Sequence, residues 1–299
     1  MGGVVAIFGP TASGKSAVAE ALAERIPAGL VSADAMQAYR GLPILTNQSA
    51  APARLVAIWP LDHEGSVGEY AALAHAAIDE ILAAGRTPVV VGGTGLYLRA
   101  ALADLELPAP SPDRARWEAL YDERGGDGAH ARLAELDPAA AAVVHPNDRR
   151  RVVRALELAA AGESLAPAED RLWSDATRHP TLVFGLEVPK AELELRIEAR
   201  TRDMFEAGVA EEARRARAGP LSETARKTLG LEEAATLAPE EACAAIVTRT
   251  RRYAAYQRKW MRRIPGLVSV AADGPAGEVA DEILEVARAR QLLPAAGGR

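Results

Sequence analysis

The chain has 299 residues, of which 49% are hydrophobic and 25% are charged, and this balance is typical of a globular protein. Its formal net charge of −6 argues against a generally basic nucleic-acid binder, and its single cysteine, Cys243, excludes an internal disulfide framework and a cysteine-cluster zinc site. No apolar run approaches the roughly 20 residues of a membrane span and no signal-peptide pattern is visible, so the composition predicts a cytoplasmic protein.

A phosphate-binding loop is the first feature along the chain. The apolar run Val4–Phe8 predicts a buried strand, and Ala17–Ile26 predicts a helix. Between them the sequence reads GPTASGKS, which matches G-x-x-x-x-G-K-[ST]. The glycines allow the backbone N–H groups to point at phosphate oxygens, Lys15 adds a positive charge, and the Ser16 hydroxyl is a candidate Mg²⁺ ligand. The predicted phosphate site comprises Gly9, Pro10, Thr11, Ala12, Ser13, Gly14, Lys15 and Ser16.

Strands and helices then alternate along the chain. Gly29–Ser32 predicts the end of a second strand, Gly68–Ala84 a helix and Thr87–Val91 a third strand. This order predicts an α/β fold, a P-loop NTPase-like parallel sheet flanked by helices. Because ligands bind at the carboxyl ends of parallel strands, we expect the phosphate loop, Asp34 and the glycine-rich loop at 92–95 to meet there.

The pattern changes after a proline-rich stretch near residue 110. Residues 111–179 show helical patterns broken by glycine and proline, and they predict a helical insertion domain within a catalytic core of residues 1–110 and 180–293. Residues 294–299 predict a disordered tail. Further elements of the core are predicted as a strand at Thr181–Leu186, a helix at Lys190–Glu206, a strand at 265–270 and a helix at 276–290.

Two basic runs interrupt this otherwise acidic chain. Arg249–Arg263 reads RTRRYAAYQRKWMRR and Arg149–Arg154 reads RRRVVR, and neither contains an acidic residue. A local basic surface matters more to a polyanion than total charge does. Each run alone is typical of a solvated helix face. The two together, one of them with tyrosine and tryptophan among its basic residues, are equally consistent with nucleic-acid contact.

Single polar residues near the strand ends are candidates for chemistry. Asp34 follows the second strand and could hold Mg²⁺ through water, accept a proton from a nucleophile, or simply cap the next turn. Thr94 could reach a phosphate or a base, or could belong only to a turn. Arg200 could reach a diphosphate or pair with nearby glutamates. His145 opens the segment HPND and is interpreted as structural.

Four segments of the chain resemble the bacterial tRNA dimethylallyltransferases, also called tRNA isopentenyltransferases. In order, they read GPTASGKS, SADAMQAYRGL, VVVGGTGLYLRA and LDPAAAAVVHPNDRRRVVRALEL. The resemblance is dense over residues 4–41 and 87–158, and its HPND segment is not a feature of P-loop NTPases in general. It implies transfer of a dimethylallyl group from dimethylallyl diphosphate to N6 of the adenosine 3′-adjacent to the tRNA anticodon. The phosphate loop would then hold a diphosphate leaving group.

The resemblance also implies roles for individual residues. The catalytic residues would be Asp34, as general base, and Thr11, Lys15 and Arg200, which would hold the diphosphate together with Mg²⁺ at Ser16. The implied partners are dimethylallyl diphosphate and the anticodon stem-loop of tRNA, without a membrane, and the enzyme is expected to be a monomer. The implied tRNA contacts are Asp34, Ala35, Met36, Gln37, Thr94, Arg114, Arg150, Arg151, Arg154, Arg226, Lys227, Gln257, Arg258, Trp260 and Arg262.

The chain departs from the family pattern in several segments. Leu45–Ser49 reads LTNQS in place of G-T-A-K-P, and Ala53–His63 lacks the H-H-L-[IL]-D motif. Leu231 replaces a family aromatic residue, and Ala255–Lys259 lacks the Lys-Arg pair and the Thr of K-R-Q-x-T. Tyr256, Arg258 and Lys259 restore basic and aromatic character at shifted positions, which indicates an altered RNA contact and not a lost one.

Three other functions fit parts of the sequence. An adenylate dimethylallyltransferase would use the same diphosphate chemistry on a free nucleotide, but the helical insertion and the basic runs favour tRNA. A P-loop small-molecule kinase would leave the HPND segment without a role. A non-catalytic RNA-binding protein would not need Lys15, Ser16 and Asp34.

Overall fold

The computed structural model describes residues 2–105, 111, 113–166 and 174–293. The chain divides into two compact units, of which the first comprises Met1–Leu105 with Asp175–Arg299 and the second comprises Glu106–Ser174. None of the described helices combines the length and the apolar composition that crossing a membrane requires. The tail predicted at 294–299 lies outside the described residues.

The first unit is built on a parallel sheet. Its strands are β1 (Val4–Phe8), β2 (Ala28–Ser32), β3 (Ala53–Arg54), β4 (Thr87–Gly92), β5 (Thr181–Glu187) and β6 (Val268–Ala271). Within the described residues they form one sheet in the order β3-β2-β4-β1-β5-β6. Phe8 lies opposite Gly92, and Ser32 lies opposite Val91, so the carboxyl ends of β1, β4 and β2 are side by side. The predicted fold class is confirmed.

Helices flank this sheet and form the second unit. In chain order they are α1 (Lys15–Arg25), α2 (Val67–Ala83), α3 (Gly95–Leu102), α4 (Arg114–Leu136), α5 (Pro138–Val143), α6 (Arg149–Ala160), α7 (Lys190–Glu206), α8 (Val209–Ala218), α9 (Glu223–Arg226), α10 (Leu231–Thr236), α11 (Pro239–Met261) and α12 (Ala276–Ala289). The helices bounded from the sequence, at Ala17–Ile26, Gly68–Ala84, Lys190–Glu206 and 276–290, match α1, α2, α7 and α12 to within two residues. The two-residue strand β3 is too short to produce any alternating pattern.

Two of the apolar clusters formed by the described residues stabilise the first unit. The larger one joins Val5 and Ile7 of β1 to α1 and α12, and both strand residues are fully buried because β1 is an inner strand and these helices cover its face. Burial of an aliphatic side chain of this size contributes about 1.5–3 kcal/mol. The smaller cluster gathers residues of α7, α8, α10 and α11 around Leu42 and Leu45. This second cluster anchors the segment that follows Asp34.

The second unit consists of α4, α5 and α6 around its own core. Trp117, Leu133 and Leu156 belong to this core. The carboxyl group of Asp137 accepts the N–H of Ala140 at the start of α5. No described residue of this unit lies in a strand, as the sequence predicts.

The boundary between the units differs from the predicted insertion of 111–179 by five residues at each end. Contacts of the segment before β5 explain the difference at one end. Arg178 donates its backbone N–H to Leu102 O at 2.8 Å, and its guanidinium pairs with Asp79 of α2 at 3.0 Å. His179 Nε2 also lies 2.7 Å from Asp79 Oδ1. Residues 175–179 therefore belong to the first unit.

Candidate active site

The phosphate loop lies between β1 and α1, as predicted. Gly14 is the N-cap residue of α1. Its φ of 88° lies in the left-handed region, which favours glycine. Ser13 donates its N–H to Pro10 O at 3.2 Å, which closes the loop. Gly9 is required for close approach, since a Cβ atom there would lie 2.8 Å from Ser13 Oγ.

Several polar groups of this loop have no hydrogen-bond partner among the residues that the structure describes. Among the described residues, no acceptor takes the N–H groups of Gly14, Lys15 and Ser16, which open α1. The buried Ser13 Oγ also has no hydrogen-bond partner there. A helix N-terminus with free N–H groups attracts anions, because its dipole adds to the hydrogen bonds. The loop therefore has the donors for a phosphate group.

Two cations and one carboxylate set the charge of the site. Lys15 Nζ donates to Pro10 O at 2.8 Å, and Arg200 Nη1 donates to Thr11 Oγ1 at 2.8 Å. Burial lowers the pKa of Lys15 to about 8, Asp34 opposes this shift, and Arg200 adds to it. Burial also lowers the pKa of Arg200, again opposed by Asp34. The structure thus brings together the predicted catalytic residues Asp34, Thr11, Lys15 and Arg200.

Asp34 lies just after β2 in a turn. Its Oδ1 accepts the N–H of Met36 at 3.0 Å, so the local capping role considered from sequence is present. Thr94 at the start of α3 accepts the N–H of Ala35 through Oγ1 at 3.4 Å. Met36 Sδ accepts a hydrogen bond from Thr228 at 3.2 Å. These contacts place Asp34, Ala35 and Thr94 at adjoining strand ends, and their predicted contact with tRNA stays a prediction.

Gln257 of α11 joins the two glycine-containing loops. Its Oε1 accepts the N–H of Thr11 at 2.7 Å, and its Nε2 donates to Gly93 O at 2.9 Å. The side chain is only 2% exposed. A Cβ atom at Gly93 would lie 2.2 Å from Nε2, which explains the glycine. The structure therefore assigns Gln257 a bridging role inside the protein, in place of the predicted RNA contact.

Tyr253 is a site residue that sequence reasoning did not select. Its hydroxyl lies near the side chains of Thr94 and Gln257, which lower its pKa, and within the field of Asp34, which raises it. Burial, and secondly Asp34, raises the pKa of Tyr253 to about 12, so the phenol remains a hydrogen-bond donor at neutral pH. The sequence offered two signals for it, its place among the basic residues of 249–263 and its position one helical turn before Gln257, which puts both side chains on the same face of α11.

The remaining predicted RNA contacts of the first unit differ in exposure. Arg226, Lys227 and Arg262 are exposed. Arg258 is half-buried and donates to Val188 O at 2.9 Å, so the fold uses its guanidinium at least in part. Trp260 is half-buried beside Gly95, where a Cβ atom would lie 2.1 Å from the indole ring. The exposed side chains are accessible to a polyanion, although Lys227 also pairs with Glu223 at 3.6 Å and Arg226 donates to Leu221 O at 3.3 Å. Arg258 and Trp260 also hold the fold.

The second unit carries the other predicted RNA contacts. Arg150 and Arg151 are exposed, and the described residues include no ion-pair partner for either. Arg114 and Arg154 both reach Oε2 of the buried Glu157, at 3.4 and 3.3 Å. The carboxylate therefore holds the two guanidinium groups together, and Arg150 and Arg151 are the more accessible cations. His145 accepts the N–H of Asn147 through Nδ1 at 3.1 Å, a turn contact that supports its structural interpretation.

Ser16 is the candidate ligand for Mg²⁺. The described residues contain no group of three or more His, Cys, Asp or Glu side chains that could hold a metal ion. At phosphate sites, however, Mg²⁺ takes one or two protein ligands and completes its shell with phosphate oxygens and water. The half-buried Ser16 hydroxyl, in the first turn of α1, fits that mode.

The fold and the site define a P-loop α/β protein in which a cationic loop meets a carboxylate at adjoining strand ends. The family model described as IPP transferase matches residues 37–264, and the one described as isopentenyl transferase matches residues 2–55. The chain therefore belongs to the IPP transferase family. The resemblance found in the sequence motifs is confirmed.

Individual relatives support the same assignment. The tRNA dimethylallyltransferase of Anaeromyxobacter dehalogenans (strain 2CP-C) is 43% identical over 286 residues, which cover 90% of this chain and 94% of the relative. That of Thermobifida fusca (strain YX) is 40% identical over 296 residues, with 92% of each chain covered. The crystal structure of the full-length tRNA isopentenylpyrophosphate transferase from Bacillus halodurans is 29% identical, with a TM-score of 0.70 and coverage of 98% of this chain and 97% of that one.

Proposed function

We propose that this chain transfers a dimethylallyl group from dimethylallyl diphosphate to N6 of the adenosine 3′-adjacent to the anticodon of tRNA, with release of diphosphate. Its curated relatives at about 40% identity are tRNA dimethylallyltransferases, and the chain is an enzyme of the same class. The observation that carries the proposal is that Asp34 lies within electrostatic reach of Lys15 and Arg200, beside a loop whose first N–H groups have no acceptor among the described residues. This arrangement suits a reaction that needs a base next to an anion site.

The reaction follows from the chemistry of these groups. The lone pair of N6 forms a bond to C1 of the dimethylallyl group, the C1–O bond breaks, and its electron pair leaves with the diphosphate. The proton of N6 passes to the carboxylate of Asp34. An exocyclic amine is a weak nucleophile, so orientation and stabilisation of the leaving group supply most of the acceleration. The loop N–H groups, Lys15, and Arg200 with Thr11 would provide that stabilisation.

Mg²⁺ is part of the proposal. Bound at Ser16, it would neutralise charge on the departing diphosphate. Lys15 would stay protonated beside the diphosphate, because an added anion raises the pKa of a neighbouring ammonium group. Bound diphosphate would thus raise the pKa of Lys15, which burial lowers in the free enzyme.

The proposed acceptor is the anticodon stem-loop of tRNA. The target base would be turned out of its stack to reach Asp34, as enzymes that modify a base require. The exposed cations Arg150, Arg151, Arg226 and Arg262 would contact the RNA backbone. We further propose that the enzyme acts in the cytoplasm as a monomer.

One assay separates this function from its alternatives. The protein is incubated with Mg²⁺, labelled dimethylallyl diphosphate, and either bulk tRNA or AMP, and the digested products are examined for an N6-prenylated nucleoside. The proposal expects label in tRNA. Label in AMP alone would indicate an adenylate dimethylallyltransferase, and ATP-dependent phosphorylation of a small molecule without prenyl transfer would indicate a kinase.

A further inference from the structure

Glu212 is a buried acidic side chain that the proposed chemistry does not use. It lies in the first turn of α8 and is 2% exposed. None of the ion pairs among the described residues involves it. Its two carboxyl oxygens instead accept backbone N–H groups from a distant segment, Leu45 to Oε1 at 2.8 Å and Ile44 to Oε2 at 3.0 Å. A buried carboxyl group needs such bonds, and here both oxygens serve one segment.

That segment is a hydrogen-bonded turn, Pro43–Asn47. Thr46 donates its N–H to Leu42 O at 3.0 Å, which closes the turn. The first N–H groups of a turn that closes through later N–H groups have no partner within it. Glu212 of α8 supplies that partner, and the burial of Leu45 in the second apolar cluster also anchors the turn.

The other end of the turn holds the side chain of Gln37. Gln37 Nε2 donates to Thr46 O at 3.2 Å and to Asn47 O at 3.1 Å, and its Oε1 accepts the Ser32 hydroxyl at 2.9 Å. Both amide hydrogens are therefore used. If the amide were flipped, its oxygen would face the two carbonyl oxygens of Thr46 and Asn47. The turn therefore fixes which end of the Gln37 amide points toward it. The remaining capacity of the Gln37 amide is one acceptor lone pair on Oε1.

We propose that Glu212 is a positioning residue for the amine acceptor, and that it acts through the turn 43–47 and Gln37. An exocyclic amino group carries two N–H donors. Gln37 Oε1 accepts one of them while Asp34, three residues earlier in the same segment, takes the proton of the other. A carbonyl oxygen in place of the amino group would be rejected, because it would face an acceptor. This inference rests on the proposed function, since it names the amino group of adenosine.

The first test needs no substrate. Hydrogen exchange is measured over residues 42–48 in the wild type, in Glu212→Gln, and in the matched control Glu211→Gln. Glu211 lies in the same turn of α8 but is exposed and pairs with Arg214. We expect exchange at Ile44 and Leu45 to rise about tenfold or more in Glu212→Gln alone. Unchanged exchange in a folded Glu212→Gln protein would overturn the proposal.

The second test is a double-mutant cycle on single-turnover transfer to an anticodon stem-loop. Glu212→Gln is expected to lower the rate about tenfold, but less than about twofold in a Gln37→Ala background, because its effect passes through Gln37. If Glu212→Gln lowered the rate by the same factor in the wild type and in Gln37→Ala, Glu212 would have a merely structural role and the proposal would be overturned. If Glu212→Gln fails to fold, Glu212→Asp takes its place, because it keeps the carboxylate but withdraws it from the N–H groups of Ile44 and Leu45. The same loss of effect in the Gln37→Ala background is expected, and equal factors would overturn the proposal.

A wild-type protein that transfers no prenyl group to RNA would refute the proposed function and, with it, the assignment of the amine. The exchange experiment would still decide whether Glu212 holds the turn. The two failures are therefore distinguishable.

Discussion

Replacement of Gln257 tests how the two loops of the site are joined. Gln257→Met keeps nearly the same volume but removes both hydrogen-bonding atoms, so Thr11 N–H and Gly93 O lose their partner at 2.7 and 2.9 Å. Each buried group left without a partner costs about 1–3 kcal/mol. Thr11 is half-buried and regains part of its loss from water, so we expect a total destabilisation of about 2–4 kcal/mol.

The expected result has a thermal and a binding component. Thermal unfolding followed by circular dichroism should show a Tm lower by roughly 5–15 °C. Diphosphate affinity, measured by calorimetry, should fall about tenfold, because Thr11 also accepts the Arg200 guanidinium. Arg262→Ala is the matched control, since Arg262 is exposed at the end of the same helix and should affect tRNA binding only. Unchanged Tm and diphosphate affinity in Gln257→Met, with weakened tRNA binding, would refute the bridging role.

Three further predictions concern single groups of the site. Asp34→Asn should slow transfer by roughly 10²–10⁴-fold in a single-turnover assay while filter binding of tRNA persists, and an equal loss of both would leave Asp34 with a structural role only. Lys15 loses its proton near its lowered pKa of about 8, so diphosphate affinity of the free enzyme should decline above that pH. Lys15→Arg should move this decline to a pH higher by about two units or more, and an unshifted pH profile would show that another group titrates. Arg150→Ala combined with Arg151→Ala should reduce the salt dependence of tRNA binding by about two phosphate contacts and leave Tm unchanged, and an unchanged salt slope would place the RNA elsewhere.

The sequence predicted the parts of this site that are local. The loop GPTASGKS directly follows the apolar run that forms β1 and directly precedes the alanine-rich segment that forms α1. Its position between a strand and a helix could therefore be predicted from neighbouring residues alone. Asp34 and Thr94 follow strands, and parallel strands bring their carboxyl ends to one edge of the sheet. The motif and its surrounding elements were therefore sufficient to place these residues.

Long-range hydrogen bonds explain what the sequence did not predict. Gln257 lies 246 residues from Thr11, and its basic neighbours made an exposed RNA surface the natural interpretation of that helix. One face of α11 is buried against the two loops. Gln257 therefore bridges them instead of contacting RNA, and Tyr253 on the same face becomes a residue of the site. Glu212 carried no signal, because an acidic residue in the first turn of a helix is usually exposed and favoured by the helix dipole. Its role depends on the turn that folds against it.

The central claim is that Asp34 and the diphosphate loop act on the amino group of an adenosine beside the anticodon. The most direct measurement is mass spectrometry of nuclease fragments of an anticodon stem-loop after reaction with dimethylallyl diphosphate and Mg²⁺. We predict one added dimethylallyl group on the adenosine 3′-adjacent to the anticodon, with the wild type and not with Asp34→Asn. A dimethylallyl group at another nucleotide, or equal modification by Asp34→Asn, would contradict the account.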